Sequence, residues 1–275
     1  YFNKKIKKIT INTKKYKSLL DKCYQIVSSP IQTHDLPSRL ILSRYFKSRG
    51  CKVFFSADGC DELLGGQQIY KKIYSKKFDY NNNISPYSTI VNRSIEISDF
   101  NSKKLEKIID QNWQKTMNSY NFIRNKKEKN IQSSLFLNYF IQATNVGNRS
   151  NDLICCDNSV EPRNIFIQKD ILKIIVNLPL KYKINFKTKN KSYMQKYILK
   201  KIFAKYLDDN LIFKKSGFSG FPNSLKINRK LAKEKISKIL NLKFKKVNNY
   251  YDQKNFKRDM DWKILNTNFF LNKFN

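Results

Sequence analysis

Gly50-Cys51-Lys52-Val53-Phe54-Phe55-Ser56-Ala57-Asp58-Gly59-Cys60-Asp61-Glu62-Leu63-Leu64-Gly65-Gly66 is the stretch on which the reading of the fold turns. Its segment 52–56 carries a short apolar run, the pattern of a parallel strand covered on both faces and flanked by parallel neighbours. A polar loop follows, and Asp61-Glu62 opens another element. Upstream, Leu40, Ile41, Tyr45 and Phe46 fit a second helix. That helix is expected to begin near Pro37 and to stop at Gly50, a natural residue just beyond a helix end. Before it, 14–27 reads as a helix with Tyr16, Leu19, Leu20 and Cys23 on its apolar side, broken by Ser28-Ser29-Pro30. Residues 9–11 can form a short strand. Helix, glycine, buried strand, polar loop and helix together predict an α/β unit.

The loop after the strand holds the chemistry. Ligands of open α/β sheets bind beyond the carboxyl ends of the strands. That end presents the Ser56 hydroxyl, Gly59 and three carboxylates, Asp58, Asp61 and Glu62. Carboxylates beside a nucleotide's phosphates repel them unless Mg²⁺ lies between. The plainer alternative is an acidic first turn favoured by the helix dipole. Gly65-Gly66 weighs against it, because two glycines otherwise only weaken a helix start.

The rest of the chain narrows the classes. Its 275 residues suffice for one large domain or two modest ones, and 40% hydrophobic content is that of a globular protein. The formal charge of +34 is mostly lysine, spread among Asn and Ile along the whole length. Sequence-reading nucleic-acid proteins rely on Arg and concentrate charge on one element, so the charge reads first as a solvated surface. Nucleic-acid binding remains the smaller expectation. Five cysteines without a C-x-x-C spacing point to reduced thiols, and a single histidine, His34, removes two-histidine metal sites. No apolar run is long enough for a membrane span, and no signal peptide is visible. A start at Tyr1 is expected of a fragment or a processed product. Residues 75–101 read mostly as loop. Helical patterning then continues at 102–120, 131–145, 169–177, 192–206, 225–240 and 255–274, so the C-terminal two-thirds is mainly α.

Residues 56–66 closely resemble the asparagine synthetase signature S-G-[DE]-G-x-D-E-L-F-G-G-Y, and 50–55 resemble the G-x-K-V-x-L strand before it. Residues 152–166, with Ser159-Val160-Glu161-Pro162-Arg163, resemble D-R-x-S-M-x-x-S-x-E-x-R-x-P-F-L-D. Leu178-Pro179 with Lys181 and Lys183 echo L-P-x-x-x-K. Lys214-Lys215-Ser216-Gly217-Phe218, closing with Pro222, resemble R-x-K-x-G-F-x-x-P. The tail from Trp262 to Phe274 is similar to the family's terminal helix, with Phe270 at its second Trp. The likeness spans nearly the whole chain.

This resemblance implies the later part of an ATP-pyrophosphatase (PP-loop) domain over residues 1–275, with a short parallel sheet and a mainly helical remainder. It implies an ATP- and Mg²⁺-dependent ligase of the glutamine-hydrolysing asparagine synthase type. Aspartate passes through β-aspartyl-AMP, and glutamine-derived ammonia displaces AMP. By position, Ser56, Ala57 and Gly59 line the nucleotide and Asp58 serves formation of the intermediate. Asp61 ligates the Mg²⁺ that holds pyrophosphate, and Lys215 neutralises charge on the phosphates. Asp152 holds the α-amino group of the substrate, although a helix N-cap reads the same. Glu161 with Arg163 reads as a structural ion pair, Tyr70 and Tyr74 as core, and His34 as a loop residue without a chemical role. A cytoplasmic setting and no membrane partner go with the family, and a homodimer is one assembly it allows.

The departures are specific. The S-G-G-x-D-S phosphate loop and the glutaminase cysteine are not among these residues, so the 275 residues alone are expected to be inactive. Ala57 replaces a glycine, and 163–168 lack the proline and terminal aspartate of R-x-P-F-L-D. Another carboxylate, such as a sugar acid or a β-lactam precursor, is the nearest alternative. A non-catalytic remnant that binds a partner is the alternative from a different class.

Overall fold

The computed structural model describes residues 7–29, 31, 34–67, 70, 102–188, 194–213, 228–241, 264, 266–268 and 270–271. Lys215 and its neighbours, the 75–101 loop, Tyr74 and Trp262 lie outside the described residues. The elements in chain order begin with α1 (Thr13–Val27), α2 (Leu36–Ser48), β1 (Val53–Ser56), α3 (Cys60–Leu63) and α4 (Ser102–Ser119). A long helical run follows: α5 (Lys126–Asn138), a π-helical segment (Tyr139–Asn148) and α6 (Arg149–Cys156). Then come β2 (Glu161–Asn164), a 3₁₀ turn (Ile165–Ile167), α7 (Lys169–Asn177), α8 (Leu180–Lys183), α9 (Tyr197–Phe203), α10 (Asp209–Phe213) and α11 (Arg229–Leu240).

Local chemistry explains the first boundaries. Asn12 caps α1, its side chain accepting from the Lys15 N–H at 2.8 Å, and Ser28 ends the helix in the left-handed region at φ 50°. The segment 9–11 expected as a strand has no regular structure. At the end of α2, Gly50 takes φ 72°, its N–H donates to Lys47 O at 2.9 Å, and Cys51 N–H donates to Phe46 O at 3.0 Å. This paired closure needs a residue that tolerates the left-handed region, so the chain turns straight into β1.

The sheet confirms an α/β architecture and corrects one expectation about it. β1 pairs parallel with β2, Val53 opposite Glu161 and Ser56 opposite Asn164. Among the described residues the sheet has these two strands. β1 is not covered on both faces: Phe55 is 72% exposed, while Phe54 turns inward and stacks on Phe46 of α2 with ring centroids 5.0 Å apart.

Three packed clusters hold these parts. α1 and α2 bury Tyr16, Leu20, Tyr24 and Leu40 against Ile154 of α6, and Phe270 of the tail packs onto the same cluster. Asn266 locks the tail down, its Oδ1 accepting from Tyr24 Oη at 2.6 Å and from the Ile31 N–H at 3.0 Å. A second cluster joins Cys60, Leu63 and Leu64 to Tyr139, Ala143 and Ile175. A third gathers Tyr70, Ile131, Leu135, Leu180 and Ile184. The segment after β1 is therefore clamped by neighbours that lie far along the chain.

Candidate functional site at the end of the first strand

Asp58 sits in the turn between β1 and α3, and both of its carboxylate oxygens are engaged. Arg39 of α2 donates from Nη1 to Oδ2 at 2.8 Å and from Nη2 to Oδ1 at 3.0 Å. Ser56 Oγ donates to Oδ2 at 2.8 Å, and Asn151 Nδ2 of α6 reaches the same oxygen at 3.4 Å. Burial would raise the Asp58 pKa, but the bidentate guanidinium and the Ser56 bond outweigh it and hold the carboxyl below its usual range. Arg39 also donates from Nε to Asp35 Oδ2 at 2.5 Å, one helical turn back. Three elements, α2, the β1 turn and α6, thus converge on one carboxylate.

Asp61 lies one turn further, in α3, and forms an ion pair with the Lys196 ammonium at the head of α9. Burial would lower the Lys196 pKa, and the bond to Asp61 with the negative charge around it raises it instead. Glu62 faces inward, where burial pushes its carboxyl up, and Gln67 Nε2 donates to its Oε1 at 3.0 Å. The Cys60 thiol is pushed up to about 11 by burial, so it is no nucleophile at neutral pH.

The glycines make this arrangement possible. Gly59 takes φ 89° and lies against Ile167 and Tyr139. Gly65 takes φ 67°, and a Cβ there would collide with Ile184; a Cβ on Gly66 would collide with the Asp61 carboxylate and Lys196 Cε. The Gly65-Gly66 pair is thus steric clearance for packing between α3 and two distant segments.

The remaining sequence-derived sites fall as follows. Ser56 and Gly59 stand beside Asp58, and Ala57 is exposed on the same turn. Asp152 is exposed in the first turn of α6, accepting from Cys156 Sγ at 3.7 Å rather than capping the helix. Its neighbour Asn151 is the buried residue that faces Asp58. Glu161 and Arg163 pair across 3.1 Å on the exposed side of β2. Tyr70 is fully buried, and the backbone carbonyl of His34 accepts from Tyr16 Oη at 2.8 Å. All five cysteines are free.

Arg39, Asn151 and Lys196 escaped the sequence reading. Arg39 and Lys196 stand in or beside helices read from the sequence, Asn151 in one that was not, and no local pattern marks a polar residue that pairs 19 to 135 positions away. A cavity of about 600 Å³ opens between the 125–131 and 179–187 segments, and none of the strand-end residues lines it.

The site suits a hard divalent ion only in part. Mg²⁺ is commonly held through one or two carboxylates plus substrate phosphates. Among the described residues no group of three or more His, Cys, Asp or Glu could hold a metal by itself. Both Asp58 oxygens are engaged by Arg39, whereas Lys196 pairs with one oxygen of Asp61, so Asp61 is the carboxylate that fits better.

No described helix is long and apolar enough to cross a membrane. The family model described as asparagine synthase matches residues 2–266. No curated protein and no solved structure matches the chain.

Proposed function

Because the chain belongs to the asparagine synthase family, we propose that it supplies the later part of a PP-loop synthetase site that converts aspartate to asparagine through β-aspartyl-AMP. The family is one of ATP-dependent amide-forming ligases. The supporting observation is the convergence of Ser56, Asp58 and Asp61 with Arg39 and Lys196 at the carboxyl end of a parallel strand.

In this reading Ser56, Ala57 and Gly59 line the adenine nucleotide, and the Arg39-held Asp58 keeps the turn in shape during attack on the α-phosphorus. Mg²⁺, when bound, screens the charge that collects on pyrophosphate. Asp61 is the residue that would hold it. Lys215 neutralises charge on the same phosphates, and ammonia from glutamine then displaces AMP. The S-G-G-x-D-S loop is not among these 275 residues. The proposal therefore places the triphosphate cradle outside them and assigns them no ATP–pyrophosphate exchange on their own.

A second carboxylate within the family is favoured by one observation. Asp152, the residue assigned to the substrate's amino group, is exposed, while Asn151 takes the inward position.

The deciding assay counts products formed by the polypeptide in which these residues operate, given glutamine, ATP and a panel of carboxylates. Asparagine, AMP and pyrophosphate in equal amounts, with aspartate required, are expected. ADP in place of AMP, or amide formation on another carboxylate alone, would overturn the assignment. Lys215→Met should lower the rate by about 10²–10³, the usual loss for one charge-stabilising donor. Lys214→Met should leave it nearly unchanged.

A further inference from the structure

The cavity of about 600 Å³ away from the strand end combines an apolar wall with a cationic one. Its volume lies in the range that encloses a small organic molecule. Pro179, Leu180 and Phe186 form the apolar wall, backed by Ile131 and Ile184 of the third cluster. Lys127, Lys181 and Lys187 stand on the lining against one carboxylate, Glu128. That carboxylate is engaged by the wall itself, its Oε1 accepting from the Leu180 N–H at 3.2 Å. The walls are also fixed. Ile184 pairs with Gln195 in an antiparallel bridge, and the Asn185 N–H donates to Met194 O at 2.8 Å. On the opposite side Asn125 caps α5, its Oδ1 accepting from the Glu128 N–H at 3.0 Å. Three ammoniums, one engaged carboxylate and an apolar wall therefore share a preformed hollow.

We propose that this cavity is a second binding site, separate from the strand end, and that it takes a small organic anion with an apolar body, such as an arylalkyl carboxylate. The physical reason is that both parts of such a ligand are matched. A bare anion gains only the attraction of lysines in water, which is weak and screened by salt. An apolar body laid against Pro179 and Phe186 gains from burial and holds the anion where three ammoniums act on it together. The buried Lys183 takes no part, since its ammonium donates to Gln132 Oε1 and Val176 O behind the wall. The charge of +34 is spread along the whole chain and marks no site by itself. What singles out these three lysines is the hollow they share and the apolar surface beside them.

The test is calorimetric titration of the 275-residue chain with three matched probes: 4-phenylbutyrate, butyrate and 4-phenylbutylamine. The first should bind about tenfold more tightly than butyrate, the scale for burying part of one ring, and more tightly than the amine. Because the whole chain repels cations, location is decided by variants of equal charge. Lys181→Gln with Lys187→Gln should weaken 4-phenylbutyrate about fivefold. Lys201→Gln with Lys205→Gln, two exposed lysines outside the lining, should leave it unchanged. In the unaltered chain, 4-phenylbutyrate should slow acylation of the Lys181 and Lys187 amines, read by peptide mass spectrometry, and leave Lys205 as it was. No binding of 4-phenylbutyrate, or binding no tighter than that of butyrate, overturns the proposal. So does an equal loss in the two double variants, which would assign the affinity to net charge. Should the first double variant not fold, the labelling decides: unchanged rates at Lys181 and Lys187 under saturating 4-phenylbutyrate place the ligand elsewhere.

Discussion

Asp58 carries more of the site than any other single residue, and it does so as a hub rather than as a free carboxylate. Its Oδ1 accepts from Arg39, and its Oδ2 accepts from Arg39, Ser56 and Asn151. Removing Arg39 leaves two carboxylates, Asp35 and Asp58, without their cation, and both sides of the Arg39–Asp58 pair are about three-quarters buried. Arg39→Met should destabilise the fold by about 3 kcal/mol at pH 7, the scale for breaking such a pair by taking one partner. The sign with pH follows from the depressed Asp58 pKa. Its contribution is present above the ordinary carboxyl range, about pH 4, and is lost as pH falls through the folded value. In Arg39→Met the buried Asp58 prefers its proton, so the deficit should shrink towards pH 3. Urea titrations of both proteins at pH 7, 5 and 3.5 check this, and a deficit independent of pH would assign the loss to packing. None of this was legible locally: Asp58 was marked by its motif, but nothing in the sequence around Arg39 singled it out.

At the scale of elements, the informative comparison is between glycines with the same backbone and different surroundings. Gly50 and Gly65 both adopt the left-handed region, at φ 72° and 67°. A Cβ at Gly50 meets nothing within 4 Å, whereas one at Gly65 runs into Ile184. Gly50→Ala should therefore cost only the conformational penalty, about 1 kcal/mol. Gly65→Ala adds the displacement of a core side chain and should cost about 2–3 kcal/mol more. Denaturant midpoints of the two variants decide it, and equal losses would mean that the α3 turn is looser than it looks. The helix boundary at Gly50 could be read from sequence because it depends on the residue's own φ. The role of Gly65 could not, because Ile184 is brought there by tertiary packing. The same limit applies to α5, where Asn130, Gln132, Ser133, Ser134 and Asn138 are buried alongside Ile131 and Leu135. A helix buried on its polar side too has weak apolar periodicity, and its start at Lys126 and its π-helical continuation to Asn148 were not foreseen.

For the molecule as a whole, the dependence of stability on pH reads out a buried lysine. Lys183, 2% exposed, donates from Nζ to Gln132 Oε1 at 2.6 Å and to Val176 O at 3.2 Å. Burial lowers its pKa to about 7, only partly opposed by Glu128. The unfolded chain keeps that proton to higher pH, so this group's penalty is full below pH 7 and is relieved as pH rises. Three buried thiols act in the opposite sense. Burial pushes Cys23 up to about 12 and Cys60 and Cys155 up to about 11, so their stabilisation is complete below their ordinary value of 9.0 and lost above it. The window for Lys183 is therefore about pH 7 to 8.5. Relative to Lys183→Met, the unaltered chain should gain on the order of 2 kcal/mol across that window. Thermal or urea unfolding of both proteins at pH 6.5 and 8.5 measures it, and a constant difference would mean that Lys183 stays charged in the folded state.

Sequence alone determined the helix–strand–loop order from α1 to α3, the family, and the identity of the strand-end loop. Each rests on local rules: apolar period, helix-ending glycine, and a dense motif whose residues are contiguous. Tertiary structure alone decided which charges meet. Asp58 found Arg39 and Asn151, Asp61 found Lys196, and Asp152 was left exposed beside the residue that turned inward. It also left Phe55 of β1 uncovered, although the strand reads as apolar throughout. The reason is physical: a charged side chain is placed by whichever opposite charge the packing of other elements brings within about 3 Å, and nothing in its own neighbourhood of the chain records that distance.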